Sequence, residues 1–190
     1  MSTEVQSEPI ATRVALHPFL AGMNRAKLAV LTNCAMATAL KKGQTIMREG
    51  EFANRFYLIE TGKVVLESLN GSGEPVVIET IGSGDLLGWS WMFPPYTWQF
   101  TARAIEPTTA IFFYGTILRE YCEKDHSLGY ELLKRMSAVM VKRLQASRKK
   151  MLAFHAHDAR SCSVAIFGDV GWRLALICRW KLFNFEFNHN

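Results

Sequence analysis

A short segment in the middle of the chain concentrates residue types that hold small planar ligands. Three of the five tryptophans lie between positions 89 and 98, beside Pro94-Pro95, and polar side chains are interspersed with them. Aromatic rings with a few convergent polar groups are typical of a pocket for a planar ligand. The segment therefore predicts a ligand site, and the alternative is a collapsed pocket in which the same rings only pack the fold. The candidate ligand-binding residues are Gly88, Trp89, Ser90, Trp91, Trp98, Gln99 and Arg103.

Catalytic and metal chemistry has little support elsewhere in the sequence. The four cysteines are scattered and form no C-x-x-C pair, which argues against a zinc or iron–sulfur site. His155 and His157 lie near a predicted helix end, where a solvated pair is a simpler interpretation than a metal site. The sequence contains no P-loop and no Gly-x-Gly-x-x-Gly. We therefore expect no metal site, and a regulatory protein rather than an enzyme.

Residues 35–114 have the pattern of a β-structure. The predicted strands are Thr45–Met47, Arg55–Glu60, Lys63–Leu69, Pro75–Ile81, Asp85–Trp89, Trp98–Ile105 and Thr109–Tyr114. Glycine-containing turns separate them, and Asn70-Gly71-Ser72-Gly73 is typical of a hairpin. Alternation within one strand places Tyr57 and Ile59 on its inward face. Many short strands at close spacing predict an antiparallel, jelly-roll-like barrel of about eight strands.

Helical patterns flank the β region. Before the β region, Asn24 is the predicted N-cap of a helix. After it, a short helix is predicted at Thr116–Lys124. A long helix then runs from about Ser127, its predicted N-cap, to about Phe154. Apolar residues of the long helix recur in steps of four and three, the spacing of a coiled-coil seam. The predicted seam contains Leu133, Met140, Leu144 and Met151. The seam favours a parallel homodimer, and the alternative is a helix that packs on its own barrel. Both can hold if one face of the helix forms the dimer and another face packs on the barrel.

The chain is long enough for one domain with appendages. The predicted boundaries are 1–16 for a flexible leader, 17–126 for the barrel with its short helices, 127–157 for the long helix and 158–190 for an unassigned tail. The first nine residues lack an apolar signal-peptide region, and no uncharged run is long enough to span a membrane. We therefore expect a cytoplasmic protein. The net charge of +5 includes a basic stretch from Lys142 to Lys150, which is typical of a solvated helix face. The alternative is a contact with nucleic acid or an acidic partner.

Glycines and apolar residues of the β region follow one ordered pattern. It reads Gly43-x2-Ile46-x2-Glu49-Gly50, then Phe56-Tyr57-x-Ile59-x2-Gly62-x-Val64, then Gly82-x-Gly84-Asp85-x2-Gly88. Over roughly residues 17 to 154 the chain resembles the cyclic-nucleotide-binding domain of the Crp–Fnr superfamily. The resemblance implies a cassette after the last glycine, in which backbone N–H groups and an arginine bind the cyclic phosphate and a carboxylate binds the ribose. Residues 88–95 are similar to a Gly-Trp-Ser-Trp-x-Phe-Pro-Pro cassette of short members that lack a helix-turn-helix.

The cassette departs from the family's pattern at its two charged positions. With Ala102-Arg103-Ala104 aligned on the strand that follows the cassette, Trp89 stands where the carboxylate is expected and Trp98 where the arginine is expected. An indole donates one hydrogen bond and carries no charge, so the charge-assisted bonds to the ligand are lost. We therefore expect weak binding of cyclic AMP. Arg103 is the only basic residue left in this strand.

The predicted function is that of a ligand-sensing regulatory domain that signals through its long helix to protein partners. A cyclic nucleotide or another nucleotide-like molecule is the predicted ligand. One alternative is a truncated Crp–Fnr-type transcription regulator, and another is a structural dimerisation module without a ligand. Direct binding to DNA is not expected, because the 36 residues after Phe154 lack the pattern of a helix-turn-helix.

Overall fold

The computed structural model describes the backbone of residues 8–165 and the side chains of residues 8–153. The helices are α1 (Ile10–Leu16), α2 (Arg25–Asn33), α3 (Gly115–Lys124) and α4 (His126–Ala165), with single 3-10 turns at Pro18–Leu20 and Trp89–Met92. The strands are β1 (Ala35–Leu40), β2 (Thr45–Met47), β3 (Arg55–Thr61), β4 (Val64–Leu69), β5 (Pro75–Ile81), β6 (Leu86–Leu87), β7 (Thr101–Ala104) and β8 (Thr108–Tyr114).

The eight strands form two antiparallel sheets of four, in the orders β1-β8-β3-β6 and β2-β7-β4-β5. This confirms the predicted jelly-roll-like fold, and the sequence pattern missed only β1 as a separate strand. The turn between β4 and β5 is the predicted hairpin. The side-chain oxygen of Asn70 accepts hydrogen bonds from the backbone N–H groups of Ser72 at 3.0 Å and Glu74 at 2.9 Å. Such an Asx-type turn fixes the register of the two strands.

Two apolar clusters hold the fold together, one on each face of the β1-β8-β3-β6 sheet. Phe56 and Leu58 of β3 point to the helices and meet residues of α1, α2, α3 and α4. Tyr57 and Ile59, on the other face of the same strand, belong to a cluster between the sheets, as predicted. We call this second group the interior cluster. Its buried members are Met47, Ala53, Tyr57, Ile59, Val64, Leu66, Ile81, Leu87, Trp98, Ala102 and Ala110.

The predicted flexible leader is wrong for residues 10–16, which form α1. Val14 is fully buried in the cluster under the helices, and the guanidinium of Arg13 pairs with the Glu60 carboxylate, with 2.8 Å between Nε and Oε1. The sequence pattern missed this helix because it is only two turns long and buries few side chains. Residues 1–7 of the leader lie outside the described residues.

The long helix starts and ends at different residues from those predicted. Asp125 rather than Ser127 caps it, since the Asp125 carboxylate accepts from the N–H groups of Ser127 at 3.0 Å and Leu128 at 3.2 Å. Asn24 caps α2 as predicted, with 2.7 Å between its Oδ1 and the backbone nitrogen of Ala26. Helix α4 continues past the expected end at 157 to Ala165. Residues 166–190 of the predicted tail lie outside the described part of the chain.

The chain divides into two compact units at Met140–Val141. In the first unit, α4 buries one face through Leu128, Leu132 and Met136, while Leu133 of the predicted seam is 41% exposed. In the second unit, Leu144 and Met151 of the seam are exposed, as are most residues of the basic stretch. None of the helices among residues 8–165 combines the length and apolar character needed to cross a membrane.

Candidate ligand site

The cassette begins at Gly88, and the ring of Trp98 lies directly against it. Gly88 has a φ of +85°, which glycine adopts at little cost. A Cβ atom at this position would lie 2.9 Å from Cζ3 of Trp98 and 3.3 Å from Cε of Met47. Both the backbone conformation and the packing therefore require glycine. The structure thus brings together two residues that the sequence assigns to the ligand site, Gly88 and Trp98.

Backbone pairing with the segment after β2 holds Trp98 in this position. The N–H of Trp98 donates to the carbonyl of Glu51 at 2.9 Å, and the N–H of Gly50 donates back to the carbonyl of Trp98 at 2.9 Å. The indole is 6% exposed and belongs to the interior cluster. At the position where the family pattern expects a ligand-binding arginine, this chain therefore has a core side chain between its sheets.

Trp89 and Trp91 lie apart from the interior cluster that contains Trp98, so the three tryptophans of the segment do not form one pocket. Trp91 is fully buried under the helices and stacks on Phe56 with ring centroids 5.2 Å apart. Trp89 packs against the same cluster, and its ring meets the edge of Phe93 at 6.3 Å. Both buried tryptophans thus pack the fold, Trp91 under the helices and Trp98 between the sheets.

The polar candidates also separate. Ser90 is buried beside Trp91, whereas Gln99 is exposed and donates from its amide to the carbonyl of Thr97 at 3.2 Å. Arg103 alternates with Ala102 and Ala104, which are both buried, and its guanidinium pairs with the carboxylate of Glu67, with 3.2 Å between Nε and Oε2. This pair lies on the outer face of β4 and β7. The structure therefore does not bring the candidate residues Gln99 and Arg103 together with Trp98.

One arginine of α3 fastens the cassette from outside. The guanidinium of Arg119 donates to the carbonyl of Trp91 and lies 4.2 Å from the ring centroid of Tyr96. Tyr96 has a φ of +58°, a conformation that costs about 1–2 kcal/mol for a residue with a side chain. The contact with Arg119 and a hydrogen bond from the N–H of Ala53 to the Tyr96 carbonyl, 2.7 Å long, stabilise it. The cassette is thus mechanically linked to the helix that precedes α4.

Sequence reasoning missed Arg55, the first residue of β3. It alternates with Tyr57 and Ile59 and therefore shares the face that looks between the sheets. Its guanidinium carbon lies 4.9 Å from the ring centroid of Phe112 and 5.4 Å from that of Tyr114. The period of two in this strand, which identified Tyr57 and Ile59 as inward-facing, also predicts the direction of Arg55.

A separate cleft of about 560 Å³ lies between α1 and β3, away from the cassette, and Arg13, His17 and Glu60 line it. The ring of His17 is 4% exposed and uses both nitrogens: Nδ1 accepts from the N–H of Phe19 at 3.3 Å, and Nε2 donates to the carbonyl of Ile59 at 3.2 Å. Burial lowers the pKa of His17, although this carbonyl and the nearby carboxylates of Glu60 and Asp85 oppose the shift. A neutral His17 therefore anchors the N-terminal segment to the barrel.

Neither described cysteine has the character of a nucleophile. Burial, with smaller effects of Glu123 and Asp125, raises the pKa of Cys122 to about 11, and burial also raises the pKa of Cys34. A thiol with a raised pKa is protonated and unreactive at neutral pH. No group of three or more side chains suited to a metal ion occurs among the side chains of residues 8–153. The side chains of His155 and His157 lie beyond those that the structure describes.

Comparison with known proteins agrees with this geometry. Residues 37–125 match the model of the family described as cyclic nucleotide-binding domain. The CRP-like cAMP-activated global transcriptional regulator of Mycobacterium tuberculosis is 24% identical over 130 residues, which are 68% of this chain and 56% of that protein. The chain therefore spans little more than half the length of this curated relative.

Solved structures share the fold. One of them, from Geobacter metallireducens GS-15, is provisionally assigned as a cyclic nucleotide-binding protein. It has a TM-score of 0.65 and 24% identity, and the match includes 72% of this chain and 99% of the other. The catabolite activator protein of Thermus thermophilus has a TM-score of 0.59 and 17% identity over 75% of this chain and 65% of its own. Residues 37–125 are thus similar in sequence to a cyclic nucleotide-binding domain, and the fold is the one that these solved structures share.

Proposed function

We propose that this protein is a ligand-sensing regulatory module whose ligand is not an ordinary cyclic nucleotide. The observation that carries the proposal is the packing of Trp98 against Gly88 between the sheets. A ligand that enters beside Gly88 has to displace an indole that is part of the core. Neither Trp98 nor Trp89 offers a charge in return, so the phosphate and the ribose would lose water without gaining their strongest partners.

The signal passes from the cassette to the helices. Arg119 joins the cassette to α3, and α3 packs closely on α4, because a Cβ atom at Gly129 would lie 3.2 Å from both Cβ and the carbonyl of Cys122. A ligand that moves the cassette therefore changes the support of α4. It shifts the position of α4 only as far as its affinities for the two arrangements differ. We propose that the protein acts on protein partners as a homodimer, with α4 as the element that reports the bound state.

Titration calorimetry with cyclic AMP and cyclic GMP tests the pocket directly. For the unmodified protein we expect a dissociation constant no tighter than about 100 μM, which corresponds to about −5.5 kcal/mol. Trp98→Arg combined with Trp89→Glu restores both charges and should increase the affinity at least tenfold. Trp98→Leu is the matched control, since it opens the same space without adding a cation. Sub-micromolar binding by the unmodified chain would contradict the proposal.

A DNA-binding transcription regulator is the second candidate. It is supported by the Mycobacterium tuberculosis relative, whose description is that of a transcriptional regulator and of which this chain spans 56%. Phosphate contacts make DNA affinity fall steeply with salt. Retention of the protein on duplex DNA at 50 mM salt that disappears by 200 mM would favour this function. If the protein were not retained on DNA at either salt concentration, DNA binding would be excluded for this chain.

A dimerisation module without a ligand is the third candidate, and the filled space around Trp98 favours it. A ligand that binds only the folded state raises the melting midpoint. A panel of nucleotides and nucleosides in a thermal-shift assay therefore separates the sensor from the module. A rise with any member supports the sensor, and no rise with any member supports the module.

A further inference from the structure

A half-buried positive charge, that of Arg55, lies at one end of the barrel, where β3 begins. Arg55 shares its strand face with Tyr57 and Ile59 of the interior cluster, and Phe112 packs against the same cluster from β8. The Nε atom of Arg55 is buried and has no hydrogen-bond partner in the described structure. An arginine at this position therefore brings a directed N–H donor into an otherwise apolar and aromatic space.

Aromatic rings rather than an acidic side chain surround this guanidinium. Its carbon lies over Phe112 and Tyr114 at 4.9 and 5.4 Å, and the adjacent Tyr57 has a pKa that burial raises and Arg55 lowers. Arg13, Arg48, Arg103 and Arg135, by contrast, each form an ion pair with a glutamate. Arg55 makes a side-chain hydrogen bond with Tyr57, but ring faces do not accept one from its Nε, which keeps no partner. The charge of Arg55 thus lacks the carboxylate that buried arginines ordinarily have.

We propose that Arg55 is the anion-binding group of a ligand site between the two sheets, and that the ligand is a small organic molecule with a carboxylate or a phosphate. The inference rests on the proposed sensor function and names the chemistry of its ligand. The planar guanidinium presents parallel N–H donors that match the oxygens of a carboxylate or phosphate. Tyr57, Phe112 and Tyr114 provide the apolar surface for the body of such a molecule.

In the proposed site the cation comes from β3 and not from the strand that follows the cassette. Trp98 fills the space at the cassette where the sequence resemblance predicts an arginine, whereas Arg55 brings a cation to the same interior from β3. A ligand bound by Arg55 would approach from the end of the barrel where β3 begins and β8 ends, since Arg55 pairs with Tyr114 in the sheet. Gly115, the first residue of α3, follows Tyr114 directly, so occupancy of this site would act on the same helix that Arg119 links to the cassette.

Thermal shift and titration calorimetry with benzoate, phenyl phosphate and inorganic phosphate test the site, at an ionic strength held constant with chloride. Benzamide is the uncharged control ligand. We expect benzoate or phenyl phosphate to raise the melting midpoint of the unmodified protein, and benzamide to leave it unchanged. A response to benzoate alone identifies a carboxylate ligand, and a response to phenyl phosphate alone identifies a phosphate ligand.

Arg55→Met should weaken the binding of the responding anion at least tenfold, and Arg55→Lys should weaken it less because the charge remains. Arg48→Met is the matched control, since Arg48 is an exposed arginine and its removal should leave binding unchanged. Circular dichroism checks that each variant folds. If Arg55→Met does not fold, the affinity of Arg55→Lys for the anion provides the test of the site. Equal binding by the unmodified protein and Arg55→Met would overturn the site, as would the absence of any response to all three anions.

Failure of this site and failure of the sensor function give different results. A nucleoside or nucleotide that raises the midpoint of Arg55→Met as much as that of the unmodified protein would contradict the Arg55 site and leave the sensor function standing. No response to the anions or to the nucleotide panel would contradict both.

Discussion

Trp98 and Gly88 form a single packing unit, in which the indole lies where a side chain at position 88 would have to be. The glycine has a left-handed backbone, and the ring is buried between the sheets. Replacement of either residue therefore disturbs the other. The pair closes the interior next to the cassette, so that the core is filled at the point where the sequence resemblance predicts a ligand-binding arginine.

Gly88→Ala should lower the free energy of unfolding by about 3 kcal/mol, the sum of the left-handed conformation and overpacking against the indole. Gly43→Ala is the control, because Gly43 has nearly the same φ, +84°, and nothing within 4 Å of its would-be Cβ. The control should lose only about 1 kcal/mol. Urea denaturation measures both.

The difference between the two alanine variants reports the contact with Trp98. In a Trp98→Leu background the additional cost of Gly88→Ala should shrink, because the smaller side chain gives way. Equal losses for Gly88→Ala and Gly43→Ala, or an unchanged difference in the leucine background, would show that the ring does not press on position 88.

The sequence predicted the β-structure well because its turns are local. Asn70 and the glycines that follow it determine a hairpin through contacts within five residues, and Tyr57 and Ile59 reveal their face by alternation alone. The candidate site was harder to predict. Trp91 and Trp98 are seven residues apart but enter different clusters, and that choice depends on strands far away in the sequence, such as β3 and β8. Arg103 was a candidate ligand-binding residue, but its neighbours Ala102 and Ala104 occupy the interior face and its own side chain lies on the other one.

Protonation of His17 should destabilise the fold. Burial lowers its pKa in the folded state below the ordinary 6.5, so the unfolded chain binds the proton more readily. The stabilisation from neutral His17 is therefore complete above about pH 6.5 and is lost as the pH falls through the lower folded pKa. His17→Gln should flatten the decrease in the free energy of unfolding between pH 7 and pH 5. Urea denaturation measures the free energy of unfolding across this range. The same dependence on pH in both proteins would contradict the assignment of the effect to His17.

Arg119→Met should loosen the cassette without unfolding the barrel. It removes a hydrogen bond to the carbonyl of Trp91 and a cation–π contact with Tyr96, together about 1–2 kcal/mol of unfolding free energy. Limited proteolysis should then cut the loop between Phe93 and Gln99 faster. Arg48→Met, which removes an exposed arginine with an ion pair of 3.9 Å, should change stability by less than about 0.5 kcal/mol. Equal proteolysis of both variants would show that Arg119 does not restrain the loop.

The final prediction concerns the homodimer, which we expect to form along the seam of α4. The helix buries Leu132 and Met136 against its own domain, while Leu133, Leu144 and Met151 are exposed, and Leu144 and Met151 are one heptad apart. Met140→Glu combined with Leu144→Glu would place like charges along that seam and should give monomers in light scattering, because buried unpaired charges are strongly unfavourable.

Ala138→Glu combined with Gln145→Glu is the matched control for the seam. It adds the same two charges to the same helix, but on the opposite face, where both residues are exposed. It should therefore remain dimeric and keep the same helical content. If the seam variant were still dimeric, the interface would have to lie elsewhere. If both variants became monomeric, added charge on α4 rather than the loss of seam packing would explain the dissociation. Only dissociation of the seam variant alone assigns the dimer to this face.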